Sequence, residues 1–130
     1  MPPTPSSHDL GALGERVAAR WLGARGWRVV AHRFRSGHRD VDLVVRRADE
    51  VAFVEVKTRR GDGFGDPADA VGWRKRRELT RSAQVWAERF GSPALSYRFD
   101  VVAVLVTPGG VRVRHVENAF PAHAGRGSSA

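Results

Sequence analysis

The sequence predicts a mixed α/β domain in the order helix, three strands, helix, two strands. Three observations carry that reading. Two windows, over residues 10–24 and 79–90, repeat apolar residues at helical spacing. Two runs, 51–57 and 97–106, are apolar and β-branched over lengths that suit central strands. The second helical window lies between those runs, where a crossover would join parallel strands.

Taken in order, residues 1–8 hold three prolines and three Ser or Thr, and read as a loose arm. The first helix is expected over 9–24, with Leu10, Leu13, Val17, Trp21 and Ala24 on its apolar face and Gly26 as its stop. A first strand follows over 27–34. The second, 40–46, alternates Val41, Leu43 and Val45 with Asp40, Asp42 and Val44, and 47–50 is a turn into the third strand at 51–57. Residues 59–65 contain three glycines and read as a mobile loop. Asp66 as N-cap, Pro67 at the first helical position and Asp69 in the first turn mark the start of the second helix. Its core stripe is Leu79, Ala83, Trp86 and Phe90, and it stops near Gly91-Ser92-Pro93. Strands at 97–106 and 111–116 flank the turn Thr107-Pro108-Gly109-Gly110. Residues 121–130 read as a disordered tail, which leaves one domain over 9–120.

With 130 residues, 42% hydrophobic and 28% charged, the chain is too apolar for full disorder and long enough to bury a core. No run approaches the ~20 apolar residues of a membrane span, and the first residues lack the apolar core of a secretory signal, so a cytoplasmic location is expected. The absence of cysteine excludes disulfides, thiolate zinc sites and cysteine nucleophiles. A net charge of +8 and a pI near 11.4 point to a polyanionic partner, nucleic acid before membrane, with solubility as the plain alternative.

The charge is unevenly placed. Seven arginines and no acid lie between Arg16 and Arg39, whereas residues 40–69 carry eight of the fourteen acids and a local balance of −3. The rest of the chain then stands at +11. Carboxylates that hold a cation, ringed by cations that hold phosphates, would have this layout. Turn chemistry by itself explains Asp49, Asp62 and Asp66. Only two of the twenty-two basic residues are lysines, Lys57 and Lys75. Lysine is a compact charge with an adjustable pKa, unlike the permanently charged guanidinium fork.

Strand alternation puts Glu55 and Lys57 on one face and Val54 and Val56 on the other. Burying two charged groups on an apolar strand is costly and needs a reason. If Arg46 pairs with Val51 across the turn, Asp42 falls opposite Glu55 and Asp40 opposite Lys57. Two facing carboxylates repel unless a cation, a proton or Lys57 compensates. A hard divalent cation such as Mg²⁺ or Mn²⁺ would satisfy them, and so would a buried salt-bridge cluster.

Asp42, followed thirteen residues later by Glu55-Val56-Lys57, resembles the Asp…Glu-x-Lys motif of the restriction-endonuclease-like PD-(D/E)xK nuclease superfamily. More closely, the chain is similar to the bacterial YraN-like family, a branch related to archaeal Holliday-junction resolvases. The matching segments are Gly11-Ala12-Leu13-Gly14-Glu15 with Ala18 and Leu22, Val41-Asp42-Leu43-Val44, and Phe53-Val54-Glu55-Val56-Lys57-Thr58-Arg59. Phe64-Gly65-Asp66-Pro67, Ala70-Val71, Lys75, Arg98-Phe99-Asp100-Val101-Val102 and Asn118-Ala119-Phe120 extend the match over roughly residues 10–120. The resemblance implies a restriction-endonuclease-like core, α-β-β-β-α-β-β, with a mixed sheet flanked by helices. It implies that Asp42 and Glu55 ligate Mg²⁺ or Mn²⁺ together with the Val56 carbonyl, and that Lys57 orients the attacking water. Glu15 matches a first-helix acid that approaches the same metal in related nucleases; an ordinary solvated glutamate is the alternative. Where the family usually has Gly-Glu before the apolar-Asp-Leu segment, this chain departs from it with Arg39-Asp40, a shorter acid after a bulky cation.

Arg59 and Arg60 directly follow the motif, and Trp73-Arg74-Lys75-Arg76-Arg77 makes one helix end strongly basic. Either set would contact phosphates or form a solvated face. The five histidines show no paired metal spacing, Asp100 reads as a hydrogen-bonding residue, and no glycine-lysine phosphate loop is present. The expectation is a metal-dependent nuclease acting on DNA, branched or otherwise non-standard by analogy to resolvases, and by the same analogy a homodimer. The alternative is a non-catalytic nucleic-acid-binding protein that keeps the fold.

Overall fold

The computed structural model describes residues 6–37, 39–61 and 71–122. Its elements run α1 (Ser7–Gly23), β1 (Arg28–Ser36), β2 (Arg39–Arg47), β3 (Glu50–Arg60), α2 (Trp73–Phe90), β4 (Ser96–Thr107) and β5 (Gly110–Phe120). The five strands form one mixed sheet in sequence order, antiparallel at every step except the parallel pair β3–β4, which α2 bridges. The order α-β-β-β-α-β-β is therefore the one expected.

Each helix covers one face of the sheet. Ala18, Leu22 and Trp27 pack with Leu43, Val45, Ala52, Val54, Val102 and Val104 on the α1 side. Leu79, Ala83 and Trp86 pack with Val44, Val51, Phe53, Phe99, Val101 and Phe120 on the α2 side. Alternation along β3 thus assigns Val51, Phe53 and Glu55 to the α2 face, and Ala52, Val54 and Val56 to the α1 face.

Five expectations are corrected. The first helix begins at Ser7, inside the segment read as an arm, because Ser6 Oγ accepts the Asp9 N–H and caps it. Its buried line is Gly14, Ala18 and Leu22, one position round from the expected stripe, so Ala24 is exposed. Small residues let the helix approach closely: a Cβ at Gly14 would collide with the Thr58 side chain. The second helix does not run unbroken from Asp66, because Gly72 is extended (φ −69°, ψ 168°) and caps a helix starting at Trp73. The expected Asp66-Pro67 start lies outside the described residues, as does most of the loop over 59–65. The first two residues of that loop are strand, since β3 stays paired with β4 through Arg60↔Val106, and the chain bends at Gly61. Phe90, assigned to the core stripe, is 61% exposed at the last residue of α2 and meets Phe34 and Trp86 only by ring contacts.

Candidate active site

The β2–β3 hairpin has the register inferred from its turn, with Arg46↔Val51 and Leu43↔Val54 both paired. The ladder of paired residues ends there, one step before Asp42 would face Glu55. Instead the Asp42 carboxylate accepts the Val56 main-chain N–H at 2.8 Å. A side chain has taken the donor that a continuing ladder would give to a β2 carbonyl. Asp40 does not face Lys57 either. It is opposite Arg35 on β1, with Arg35 Nε 3.6 Å from its Oδ1.

Arg33 lies level with Asp42, between the pairs His32↔Leu43 and Phe34↔Val41. Its backbone is left-handed (φ 48°), which is unusual for a non-glycine residue inside a strand and breaks the side-chain alternation. Its guanidinium forms a two-pronged ion pair with Glu15 of α1, Nε and an Nη each 3.3 Å from a carboxylate oxygen. The Gly14–Thr58 contact presses this part of α1 onto β3, so Glu15 faces the sheet and its charge is felt at Asp42.

On the α2 face, Lys75 Nζ is 3.6 Å from Glu55 Oε1. Lys57, on the same face of β3, also acts on the Glu55 charge. Both lysines of an arginine-dominated chain therefore converge on one carboxylate. Glu55 has a side chain only 15% exposed, and its Oε2 is buried with no hydrogen-bond partner. Burial, then the charge of Asp42, pushes the Glu55 carboxyl up from 4.5 to about 7, against the pull of Lys75 and Lys57. Burial also raises the Asp42 pKa; Glu15 adds to the rise, while the Val56 N–H, Lys75 and Arg33 oppose it.

The cluster thus joins Glu15, Arg33, Asp42, Glu55, Lys57 and Lys75 from five elements. Two of these were not placed here by sequence reasoning. The scarcity of lysine pointed to Lys75 but not to its partner, and nothing in the sequence signals the left-handed backbone that delivers Arg33. The donor set suits a hard cation: two carboxylates from neighbouring strands, oxygen donors only, and one oxygen buried without a partner. Among the described residues no three His, Cys, Asp or Glu side chains form a cation site. Further ligands would be main-chain carbonyl, water or phosphate.

The basic residues separate. Arg59 and Arg60 are exposed at the end of β3. Arg74 and Arg77, with Glu78 and Arg81, line a groove of about 250 Å³ on α2, and Arg77 lies 4.8 Å over the Trp73 ring. Arg76 turns inward, with Nε donating to the Val71 carbonyl at 2.8 Å. Asp100 is a buried structural acid on the other face of the sheet, accepting from Arg98 at 3.0 Å and from the Asn118 N–H at 2.9 Å.

The model of "Uncharacterised protein family UPF0102" matches residues 14–104, which include all six residues of the cluster. The chain belongs to UPF0102. This is the YraN-like family of the resemblance. UPF0102 proteins similar to it include one from Nocardia farcinica, 50% identical over 100 residues that cover 77% of this chain and 79% of the relative. The UPF0102 protein of Symbiobacterium thermophilum is 44% identical over 119 residues, 89% of this chain and 99% of its own. That of Geobacter sulfurreducens is 39% identical over 124 residues, 92% and 97% of the two chains. Among solved structures, Pyrococcus furiosus SfsA in complex with Ca²⁺ aligns with a TM-score of 0.40 and 12% identity, over 86% of this chain and 64% of that one. No described helix of this UPF0102 protein is long and apolar enough to cross a membrane.

Proposed function

We propose that this UPF0102 protein is a divalent-metal-dependent nuclease that hydrolyses phosphodiester bonds, with branched or otherwise non-standard DNA as its substrate. The observation that carries the reading is the Glu55 carboxylate, buried beside Asp42 with one oxygen unpartnered, Lys75 3.6 Å from the other and the charge of Lys57 acting on it. Asp42 and Glu55, with the Val56 carbonyl, would hold Mg²⁺ or Mn²⁺. Such an ion supplies Lewis acidity towards the phosphodiester and towards water.

The chain's own groups account for the rest. The Val56 N–H fixes the Asp42 carboxylate, so that its second oxygen keeps one direction. Lys57, on the strand face of Glu55, orients the attacking water and meets the charge that develops on the phosphate. Lys75 offsets the charge of Glu55 from the α2 side. Arg33 holds Glu15 at the margin of the site, where its carboxylate adds to the negative field at Asp42. Arg59, Arg60, Arg74 and Arg77 supply phosphate contacts around it. A two-fold dimer would match a two-fold junction.

The test is cleavage by the wild type and Lys57→Ala of single-stranded, duplex, flapped and four-way DNA, each with Mg²⁺, Mn²⁺ or EDTA. Metal-dependent cutting by the wild type, greatest on a branched substrate and lost in a folded Lys57→Ala, is expected. Tight binding without cutting on every substrate would leave a nucleic-acid-binding protein in place of the nuclease.

A further inference from the structure

At the end of the sheet away from Glu55, Arg28 and Arg46 are direct cross-strand partners in the β1–β2 ladder. Cross-strand partners lie about 5 Å apart at Cβ, and like charges placed there destabilise the pair. Among the described residues no carboxylate is paired with either guanidinium. Their repulsion is therefore left uncompensated among the described residues.

The two arginines line a cup of about 430 Å³, completed by Gly26, Arg47 and Ala48, with no acid among the described residues of its wall. The cup is held in shape. Arg46 Nε donates to the Ala48 carbonyl at 2.8 Å. Arg47 lies 4.2 Å over the Trp27 ring, donates weakly to the Arg25 carbonyl at 3.5 Å, and has an Nη 3.6 Å from Glu50. Gly26 (φ 90°) and Ala48 (φ 55°) are both left-handed and bring two turns together at its rim. Guanidiniums fixed by contacts to the protein lose less freedom on binding than free surface side chains do.

We propose that this cup is a clamp for a phosphate group, seated between Arg28 and Arg46, and that the phosphate belongs to a nucleic-acid backbone. An anion between the two guanidiniums turns the costly pair into a favourable one, and each fork can bind phosphate oxygens in bidentate fashion. Most of the lining residues are exposed, so the cup is open to a polymer running past and has no walls to enclose a small ligand. Val51, the partner of Arg46 on β3, is four residues from Glu55, which sets the clamp ~13 Å along the strand from the carboxylates. The clamp does not depend on cleavage or on a metal.

Binding of a fluorescent 20-base-pair duplex by the full chain in EDTA, across a series of NaCl concentrations, tests the clamp. The double variant Arg28→Ala/Arg46→Ala is expected to bind about tenfold more weakly, with the salt slope reduced by about 0.9 for each lost contact. The charge-matched variant Arg112→Ala/Arg114→Ala on β5 should lose less than about threefold. Melting in phosphate-free buffer should leave the first variant at least as stable as the wild type, because a repulsion has been removed. Equal losses in the two double variants would reduce the effect to net charge and overturn the site. Inorganic phosphate that stabilises the wild type but not Arg28→Ala/Arg46→Ala, with duplex affinity unchanged, would overturn the nucleic-acid assignment in favour of a small phosphate ligand.

Discussion

Glu55 and Asp100 are neighbours in the β3–β4 ladder, where Glu55 pairs with Val101 and Val54 with Asp100, yet their surroundings are opposite. The Asp100 side chain is fully buried on the α1 face and receives donors on both oxygens: the Asn118 N–H on Oδ1, Arg98 and the His115 ring on Oδ2, the last at 2.6 Å. Arg98 is in turn shared with Glu50 and Glu117 and lies 4.8 Å from the centre of the Trp27 ring. Glu55, on the α2 face, has one lysine at 3.6 Å and one oxygen with no partner. The first acid is built closed and locks β4 to β5. The second is built open, at an energetic cost that a fold alone would not retain.

The largest effect should come from the closed site. Asp100→Ala removes the buried acceptor shared by Arg98, the His115 ring and the Asn118 N–H, and should cost about 3–5 kcal/mol in urea unfolding. Glu55→Gln, at the same level of the sheet, should leave metal-free stability unchanged or raise it. Equal losses in the two variants would erase the distinction between the sites.

Stability against pH sharpens the comparison further. The Glu55 carboxyl is raised from 4.5 to about 7 by folding, so the native state holds the proton more tightly than the unfolded chain. Metal-free stability should therefore fall as pH rises from about 4.5 to about 7, by at most roughly 3 kcal/mol. The raised Asp42 carboxyl adds in the same direction. Mn²⁺ and Glu55→Gln should each flatten that slope. A smaller effect is expected of Lys75→Met. Losing this half-exposed charge should cost about 0.5–1 kcal/mol in EDTA at pH 8, and the deficit should shrink when Mn²⁺ is added.

Much of the scaffold was legible because it follows from period and turn length. The four-residue turn was enough to set Arg46 opposite Val51. The alternation expected of Val41, Leu43 and Val45 does not hold, since Val41 packs with Val44 on the α2 side and Leu43 and Val45 pack on the α1 side. The misreadings arose where local signals compete with tertiary contacts. Asp66 and Pro67 carry a strong start signal in the sequence and lie outside the described residues, while the extended Gly72 starts α2 at Trp73. The α1 stripe was misplaced because Gly14 and Ala18 are buried for their small size rather than their hydrophobicity. At the site, the pairing of Asp42 and Glu55 could be inferred from register. Its execution could not, because the ladder gives way to a side-chain bond at Val56 and Arg33 leaves the strand geometry.

The central claim is that Asp42 and Glu55 form an open cation site, and titration of Mn²⁺ into the metal-free protein at pH 7, followed by calorimetry, tests it most directly. One ion should bind per site, and Glu55→Gln should abolish binding. The heat should vary with buffer ionisation enthalpy, because a carboxyl titrating at about 7 releases part of a proton to the buffer when the metal binds. No binding by the wild type, or binding of equal strength in Glu55→Gln, would contradict the account.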